Sequence, residues 1–430
     1  MNDSTLDFAR QHRDEDPKTL ALHAKVPEGV NLTEALQQIA GWQTARHKLP
    51  AWAGCDGIIY PPHLAMEQCS SEQTARYKVG VVQRLLGKSA TEGVMYDLTG
   101  GFGVDFSFLA PLFRKAVYVE QQEHLVEVAR HNFKVLNIDN AQPLCGNAAE
   151  ILHSIDHATM IYLDPARRDS NGGRTYALSD CTPDILTMKE ELFSKSDMMM
   201  VKLSPMLDWR AVVQQLGNVH ELHIVSVKNE CKELLAVIAP LLSPPQGEDY
   251  LRIYCVNDDQ QFIYHPSTII RPPSPILPPP GGLRGWGSNT SPYGGDKRGW
   301  GSNTSPYGGD KRGALLVPNS SIMKAGCFSE IANHYGVSPL SDNSHLFISD
   351  HFIEGFPGRQ FQIEAISSMN KRELRSTFAG IQQANVAVRN FPMTAEQLRQ
   401  RLHLRDGGEH YVFATTDHNG QHILFLCKKT

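Results

Sequence analysis

The sequence predicts an α/β protein built on a Rossmann-like, mostly parallel sheet, and three observations predict it. The apolar run 94–97 ends in an acid and leads into a glycine-rich turn, 100–103. A second β-branched run ends in Glu120, 23 residues after Asp97. Strand-like and helix-like segments then alternate through 91–242, which is typical of a parallel sheet covered by helices on both faces.

The region before the sheet, residues 1–90, is predicted to be helical. Apolar residues recur there at three- and four-residue spacing in 33–40 and again in 72–82. Ser70 or Ser71 is a candidate cap for the second of these helices.

The region 91–242 contains six strand candidates with helices between them. A helix is predicted over 123–136, where apolar residues recur at helical spacing. The strand candidates are short apolar runs at 94–98, 116–120, 141–145, 160–164, 198–203 and 221–227.

The pattern changes near residue 243, where Ser243-Pro244-Pro245 interrupts it. Two apolar runs that follow, 250–256 and 261–264, are predicted to be strands of a smaller domain. Farther on, a helix is predicted over 394–402 with Thr394 as its cap, before a closing pair of strands, 409–415 and 422–426.

A perfect repeat interrupts this C-terminal part. Residues 284–297 recur unchanged as 298–311, within a segment rich in Gly, Pro and Ser. Two copies are too few for a repeat fold, and such a composition cannot bury a core. We therefore predict a disordered insert over 275–313.

Composition and charge indicate a cytoplasmic protein. Hydrophobic residues make up 41% of the chain, and no apolar run approaches the length of roughly 18–20 residues that spans a bilayer. Eight cysteines are present without a Cys-x-x-Cys pair, which predicts neither a metal site nor disulfides. The net charge is −5, yet 351–430 carries ten Lys/Arg against seven Asp/Glu, a balance that permits contact with nucleic acid.

The glycine turn distinguishes two classes of nucleotide-binding protein. A dinucleotide-binding dehydrogenase places its last glycine inside the helix that follows the turn. Here Phe106 stands at that place, and Asp97 precedes the turn. This arrangement resembles motif I of class I S-adenosylmethionine-dependent methyltransferases.

Two later strands agree with this resemblance. Asn147 follows the third strand candidate, where methyltransferases place a polar side chain that binds the adenine of the donor. Asp164-Pro165 ends the fourth and resembles motif IV of amino-methyltransferases, Asp/Asn-Pro-Pro-aromatic. The chain departs from that motif, with Ala166 instead of the second proline and Arg167 instead of the aromatic residue.

The chemistry of methyl transfer explains why such a motif suffices. The donor is a sulfonium cation, so the reaction mainly requires in-line positioning of a nucleophilic lone pair. An exocyclic amine on a base has a delocalised lone pair. Asp164 and the carbonyl of Pro165 are positioned to accept its two N–H groups and localise that lone pair, once the base has left its stack.

Methylation of C5 of uracil in RNA is a second chemistry to which the Asp-Pro motif could belong, and the sequence argues against it. An Asp-Pro-x-Arg sequence also occurs in uracil-C5 RNA methyltransferases, which require a nucleophilic cysteine after the fifth strand. The fifth strand candidate here ends in 201–205, which contains no cysteine.

Four longer blocks carry a closer resemblance. The chain is identified as a member of a bacterial, especially Bacteroidetes, family of class I methyltransferases with a C-terminal THUMP-like domain, and the resemblance covers most of 55–430. It implies a seven-stranded sheet at 91–242, a ferredoxin-like domain at 243–345 and a THUMP-like domain at 346–430. The blocks are 66–72, 163–168, 227–234 and 318–326.

The resemblance also implies a cofactor, a partner and a site. The cofactor is S-adenosylmethionine, and the partner is RNA (tRNA or rRNA), held through the C-terminal domains, with no membrane and no metal. Asp164, Pro165 and Arg167 are the expected catalytic residues. From their position at the end of the fifth strand, Lys202 and Ser204 are candidates to face the substrate. The expected donor-binding residues are Asp97, Thr99, Gly100, Gly101, Gly103, Glu120 for the ribose and Asn147 for the adenine; Glu67, Gln68, Ser70, Ser71 and Thr74 are expected to fold over the pocket.

We therefore expect an RNA methyltransferase that acts on an exocyclic base nitrogen, with guanine N2 ahead of adenine N6. The turn 97–105 is similar to that of a bacterial small-subunit rRNA guanine-N2 methyltransferase. Two alternatives stay open. One is a non-catalytic RNA-binding module that retains the donor fold, which the departures at Ala166 and Arg167 favour. The other is a methyltransferase of a small molecule.

Overall fold

A computed structural model describes residues 1–167, 178–239, 251–266 and 313–429 of the chain. The chain divides into two compact units, Met1–Asp258 with Ile263–Ile270, and Asp259–Phe262 with Arg271–Thr430. The repeat and almost all of the predicted insert, 275–313, lie outside the described residues, as does the predicted domain boundary at 243.

The N-terminal region is helical, as predicted. Ser71 caps the sixth helix by accepting the backbone N–H of Thr74, which selects Ser71 over Ser70. The helices are α1 (Asp3–Gln11), α2 (Pro17–His23), α3 (Leu32–Lys48), α4 (Pro50–Ala53), α5 (His63–Gln68), α6 (Glu72–Leu86) and α7 (Lys88–Glu92).

Strands and helices alternate after α7. The strands are β1 (Val94–Asp97), β2 (Lys115–Glu120), β3 (Ala141–Cys145), β4 (Ala158–Leu163), β5 (Ala166–Arg167), β6 (Cys181–Thr182), β7 (Ser196–Leu203), β8 (Val219–Val227), β9 (Glu230–Ile238), β10 (Arg252–Asn257) and β11 (Gln260–Tyr264). The helices are α8 (Val104–Leu109), α9 (Glu123–Val135), α10 (Ala148–Ser154), α11 (Ile185–Ser194) and α12 (Trp209–Leu216). Short 3₁₀ turns lie at Ala110–Leu112 and Leu178–Asp180.

The main sheet is mostly parallel, in the order β11-β10-β8-β9-β7-β4-β1-β2-β3. The predicted number of seven strands is therefore wrong, because the described residues contribute nine strands to this sheet. Strand β9 pairs antiparallel with both β7 and β8, while β10 pairs parallel with β8. The runs at 250–256 and 261–264 do form strands, but they extend this sheet; an apolar run shows that a strand exists, not which sheet it joins.

Three aromatic rings pack together beside the glycine turn, and two of them contact its glycines. Phe106, Tyr118 and Phe133 meet with ring centroids 4.7–5.6 Å apart. A Cβ atom on Gly100 would lie 2.2 Å from the Tyr118 ring, and one on Gly103 would lie 2.7 Å from the Phe133 ring. Gly103 also has a φ of 74°, so the turn requires glycine for both space and backbone conformation.

The second unit contains a seven-stranded sheet in the order β13-β14-β12-β15-β18-β17-β16. Thr394 caps the last helix with a complete capping box, and the closing strands pair antiparallel, which confirms both predictions. The strands are β12 (Ala314–Pro318), β13 (Ser338–Pro339), β14 (Phe347–Ser349), β15 (Gly358–Ser368), β16 (Asn385–Val388), β17 (His410–Thr416) and β18 (His422–Lys429). The helices are α13 (Ser320–Ala325), α14 (Phe328–Tyr335), α15 (Lys371–Thr377) and α16 (Ala395–Arg401).

Candidate functional site

A cavity of about 660 Å³ lies at the carboxyl ends of β1, β2, β3, β4 and β7, where open α/β sheets bind their ligands. We call it the first cavity. Eight predicted site residues line it: Asp97, Thr99, Gly100, Gly101, Gly103, Glu120, Asn147 and Asp164. Pro165 follows Asp164 and is buried, and the side chain of Arg167 lies outside the described part of the chain.

Asp97 ends β1 and is only 2% exposed. Its Oδ1 accepts the backbone N–H of Thr99 at 3.0 Å and the Thr99 hydroxyl at 3.3 Å. Burial, with a smaller contribution from the nearby carboxylates of Asp105 and Asp164, raises the pKa of Asp97 to about 8 despite these hydrogen bonds. Asp97 therefore holds a proton at pH 7.

Glu120 ends β2 and faces the glycine turn. One carboxylate oxygen accepts the backbone N–H of Gly101 at 3.0 Å, and the other accepts the backbone N–H of Gln122 at 2.9 Å. The Tyr118 hydroxyl donates to the carbonyl of Gly101 on the same turn. These hydrogen bonds fix the carboxylate at the rim of the cavity. The second oxygen also accepts the side-chain N–H of Gln122 at 3.4 Å, and the first keeps a lone pair for a further donor.

Asn147 is the N-cap of α10. Its side-chain oxygen accepts the backbone N–H of Ala149 at 2.9 Å. The residue is exposed and lines the first cavity, and its amide keeps two N–H donors and a second lone pair.

Asp164 follows β4 on the opposite side of β1 from β2. Its backbone N–H donates to the Thr99 hydroxyl at 2.6 Å, which ties it to the glycine turn. Its Oδ2 accepts from Lys202 Nζ at 2.5 Å, while the described residues give Oδ1 no hydrogen bond. Thr99 and Lys202 thus hold Asp164 in place, and its Oδ1 is left to accept a hydrogen bond from a ligand.

Lys202 belongs to a buried cluster of charges that the sequence patterns did not predict. Lys78 on α6 is fully buried, with its Nζ 2.7 Å from Glu233 and 3.2 Å from Asp105. Lys202 Nζ lies 3.7 Å from Asp105, which also accepts the hydroxyls of Ser70 and Tyr162 at 2.7 Å each. We call Lys78, Asp105, Asp164, Lys202 and Glu233 the charge cluster.

Opposite charges favour the ionised forms of Asp105 and Lys202 despite burial, whereas burial raises the pKa of Glu233. Burial opposes ionisation of Asp105, but Lys78 and Lys202 outweigh it and lower the pKa of Asp105 below its usual value. Burial likewise disfavours the charged form of Lys202, but Asp164, Asp105 and Glu233 outweigh it and raise the pKa of Lys202. Two cations among three carboxylates leave a net charge of −1 when all are ionised.

The only signal for this cluster in the sequence is that its members fall in segments predicted for other reasons. Asp105 ends the glycine-turn block, Glu233 lies in the family block 227–234, and Lys78 sits on a predicted helix. Hydrophobic periodicity places each on its element but gives no sign that they meet.

The polar block before α6 divides between two cavities. Gln68 and Ser70 line the first cavity and also a neighbouring second cavity. Glu67, Ser71 and Thr74 line only the second cavity. Lys202 lines both, whereas Ser204 is not among the residues that line either.

Cys69 is the cysteine nearest this chemistry, because it lines both cavities. Its thiol donates to the carbonyl of Met66 at 3.3 Å. Burial raises the pKa of Cys69, so the thiolate needed for C5 chemistry is disfavoured. Among the described residues, His, Cys, Asp and Glu side chains form no group of three that could hold a metal ion. None of the described helices combines the length and apolar character that a membrane crossing requires.

Sequence and structure comparisons identify the proteins that this chain resembles. A ferredoxin-like domain model matches residues 315–357, and a THUMP domain-like model matches residues 358–429. The crystal structure of a "putative methyltransferase" from Porphyromonas gingivalis W83 superimposes with a TM-score of 0.78. That protein is 30% identical, and the match covers 99% of this chain and 98% of that chain.

Two curated relatives match smaller parts. An uncharacterised S-adenosylmethionine-dependent methyltransferase of Mycobacterium tuberculosis (strain ATCC 25618 / H37Rv) is 28% identical over 169 residues, 39% of this chain and 43% of that protein. An uncharacterised RNA methyltransferase of Clostridium tetani is 32% identical over 88 residues, 20% of this chain and 19% of that protein. The matches thus span less than half the length of these relatives.

The glycine turn, the acids at the carboxyl ends of β1, β2 and β4, and the sheet order define the architecture of a class I methyltransferase. The match with the protein from Porphyromonas gingivalis, over nearly the whole of both chains, identifies the family. The chain belongs to the bacterial family of class I S-adenosylmethionine-dependent methyltransferases with C-terminal ferredoxin-like and THUMP-like domains.

Proposed function

We propose that the protein transfers a methyl group from S-adenosylmethionine to an exocyclic base nitrogen of RNA, with guanine N2 ahead of adenine N6. The observation that carries the proposal is the position of Asp164. It lines the same cavity as the glycine turn, is tied to that turn through Thr99, and keeps Oδ1 without a hydrogen bond from the described residues.

The residues of the first cavity fit this donor. We assign to them the donor half of the site: Asp97, Thr99, Gly100, Gly101, Gly103, Glu120 and Asn147. The fixed carboxylate of Glu120 would accept both ribose hydroxyls, and Asn147 would contact the adenine. The donor, when bound, supplies a methyl group on a sulfonium cation, and the buried carboxyl of Asp97 suits the neighbourhood of a cation.

The acceptor half consists of Asp164, Pro165 and the rest of the charge cluster. Asp164 Oδ1 and the Pro165 carbonyl would accept the two N–H groups of the amine, which keeps its lone pair available for in-line attack. Lys202 holds the other carboxylate oxygen and so orients Asp164. For Arg167 we retain two roles, stacking of its guanidinium on the base or contact with phosphate.

Two observations support RNA as the acceptor. The C-terminal unit contains the THUMP domain-like match, and the relative from Clostridium tetani is named an RNA methyltransferase. We propose that the ferredoxin-like domain, predicted at 243–345 although strands β10 and β11 of that range join the main sheet, and the THUMP-like domain (346–430) hold tRNA or rRNA in the cytoplasm. The sheet domain (91–242), which follows the helical region (1–90), would carry out the transfer.

The test is transfer of a labelled methyl group to total RNA from a strain that lacks this protein, followed by digestion to nucleosides and mass spectrometry. The proposal expects label in one RNA size class, carried by a guanine or adenine methylated on its exocyclic nitrogen. Label on a ring carbon or on ribose would overturn the assignment of the acceptor.

The non-catalytic alternative is favoured by the two departures from the motif, Ala166 instead of the second proline and Arg167 instead of the aromatic residue. The same experiment decides between the two functions. Donor binding without transfer to any RNA would support the non-catalytic module, whereas transfer that survives removal of residues 346–430 would point to a small-molecule acceptor.

A further inference from the structure

The second cavity, of about 970 Å³, adjoins the first one within the N-terminal unit. It is bounded by the end of α3, the segment joining α5 to α6, and the turn between β8 and β9. The two cavities share Gln68, Cys69, Ser70 and Lys202, and Lys202 contacts Asp164. Lys202 therefore joins the second cavity to the carboxylate that we assign to the acceptor amine, which lines the first cavity.

The turn between β8 and β9 has an unusual backbone for its residues. Lys228 and Asn229 have φ values of 51° and 62°, in the left-handed region that favours glycine. Two-residue hairpin turns of this kind prefer Asn-Gly, yet here a lysine occupies the first central position. The backbone N–H of Lys228 donates to both carboxylate oxygens of Asp258 at 3.0 and 3.1 Å, and that of Asn229 donates to Asn257 at 2.9 Å.

These hydrogen bonds stabilise a conformation that Lys228 would not adopt readily by itself. Residues held in such conformations cluster at functional sites, where the side chain is needed in that place. Lys228 is exposed and lines the second cavity.

Lys228 also differs from its neighbours in charge pairing. Four carboxylates line the second cavity. Glu72 pairs with Arg76, Glu230 with Lys232 and Glu233 with Lys78, while Glu67 Oε1 lies 4.0 Å from His63 Nε2. Among the described residues, no carboxylate pairs with Lys228, and Lys48 Nζ contacts only the backbone carbonyl of Glu67, at 2.6 Å. Two cations on different elements are thus available to an anion.

We propose that the second cavity receives the acceptor RNA strand, with Lys228 and Lys48 contacting the backbone phosphates that flank the target nucleotide. This inference rests on the proposed function. A base that reaches Asp164 must leave its stack, so its flanking phosphates must lie beside the entrance to the first cavity. Lysines without carboxylate partners are suited to hold them, since phosphate contacts fix the position of a strand.

The experiment measures methyl transfer to total RNA from a strain lacking this protein, as kcat and KM over a range of salt concentrations. The variant is Lys228→Gly, which removes the cation and relieves the left-handed backbone, so it folds at least as well as wild type. We expect an unchanged kcat and a KM for RNA raised several-fold. On a single strand, each phosphate that the protein no longer neutralises reduces the slope of log affinity against log salt by about 0.7, and we expect that change here.

Two further variants complete the test. Lys228→Arg keeps the cation and should restore most of the salt slope, while Lys25→Gly removes an exposed cation outside both cavities and should leave KM unchanged. A wild-type salt slope in Lys228→Gly, or an equal change in Lys25→Gly, would overturn the inference and leave the proposed function intact. Absence of transfer by the wild-type protein would instead reject the proposed function and, with it, this inference.

Discussion

The donor half and the acceptor half of the site are held together by different kinds of interaction. In the donor half, Asp97 and Glu120 accept backbone N–H groups from the glycine turn or from residues two positions along the chain. In the acceptor half, side chains from α6, α8, β7 and β9 meet Asp164 or one another through ion pairs. The donor half is thus a local structure of the chain, and the acceptor half exists only in the complete fold.

The two halves also differ in charge. Asp97 is buried without a cation and is protonated at pH 7, because its pKa is raised to about 8, so the donor half would gain a charge interaction when a cation enters. The charge cluster already contains its own lysines, Lys78 and Lys202, which pair with Asp105, Glu233 and Asp164. We therefore expect donor affinity to depend on pH. In the acceptor half, we expect removal of any one charge to lower methyl transfer or the free energy of unfolding.

The largest effect is expected from Asp164→Ala. The variant removes the carboxylate that would accept the amine, so we expect methyl transfer to RNA to fall by at least about 10²–10³-fold, the cost of one such group in a polar active site. Donor affinity should remain that of wild type, because the donor half is built without Asp164. Single-turnover transfer and calorimetry on the same preparations measure the two quantities.

Asp164→Asn is the matched control, because it keeps an acceptor oxygen at the same place. It should retain more transfer than Asp164→Ala. Equal turnover in Asp164→Ala and wild type would reject the assignment of Asp164 to the acceptor.

The next effect concerns the stability of the charge cluster. Lys78→Met leaves Asp105 and Glu233 buried with one cation fewer, and breaking a buried pair in this way costs about 3–5 kcal/mol of unfolding free energy. Lys232→Met makes the same change in the exposed pair with Glu230 and should cost less than about 1 kcal/mol. Urea denaturation compares them, and equal midpoints would show that the cluster adds nothing to stability.

The smallest effect is a proton released on donor binding. A cation near Asp97 lowers its raised pKa, so the carboxyl loses its proton when the donor binds at pH 7. Affinity should consequently rise with pH by at most about tenfold per unit and level off above about pH 8. Calorimetry in buffers of different ionisation enthalpy measures the release, which Asp97→Asn should abolish; the same release in that variant would assign the proton to another group.

The difference between the halves explains what the sequence could and could not predict. The glycine turn, Glu120 and Asn147 follow predicted strands, and a parallel sheet brings strand ends to one edge, so their meeting followed from periodicity and spacing. The ion pair of Lys78 with Glu233 joins residues 155 positions apart. No periodicity encodes such a distance, although each residue lay on a predicted element or in a family block.

The fold shows the same limit. Six strand candidates of the main sheet were found, but β9 was not, because it follows β8 after a two-residue turn without glycine or proline to mark it. Strands β10 and β11 were recognised but placed in the wrong sheet. Local patterns identified strands, while the number of strands in the sheet depended on pairing between distant segments.

The central claim is that donor binding depends on the donor half of the site and not on the acceptor half. It is tested most directly by calorimetric titration of S-adenosylmethionine into Glu120→Ala, Asp164→Ala and the wild-type protein. Glu120→Ala removes both acceptors for the ribose hydroxyls, at about 1.5–3 kcal/mol for each hydrogen bond to a charged group, so we predict that its donor binding is abolished or weakened at least about 100-fold. Asp164→Ala should bind the donor as wild type does. Unchanged affinity in Glu120→Ala, or loss of binding in Asp164→Ala alone, would contradict the account.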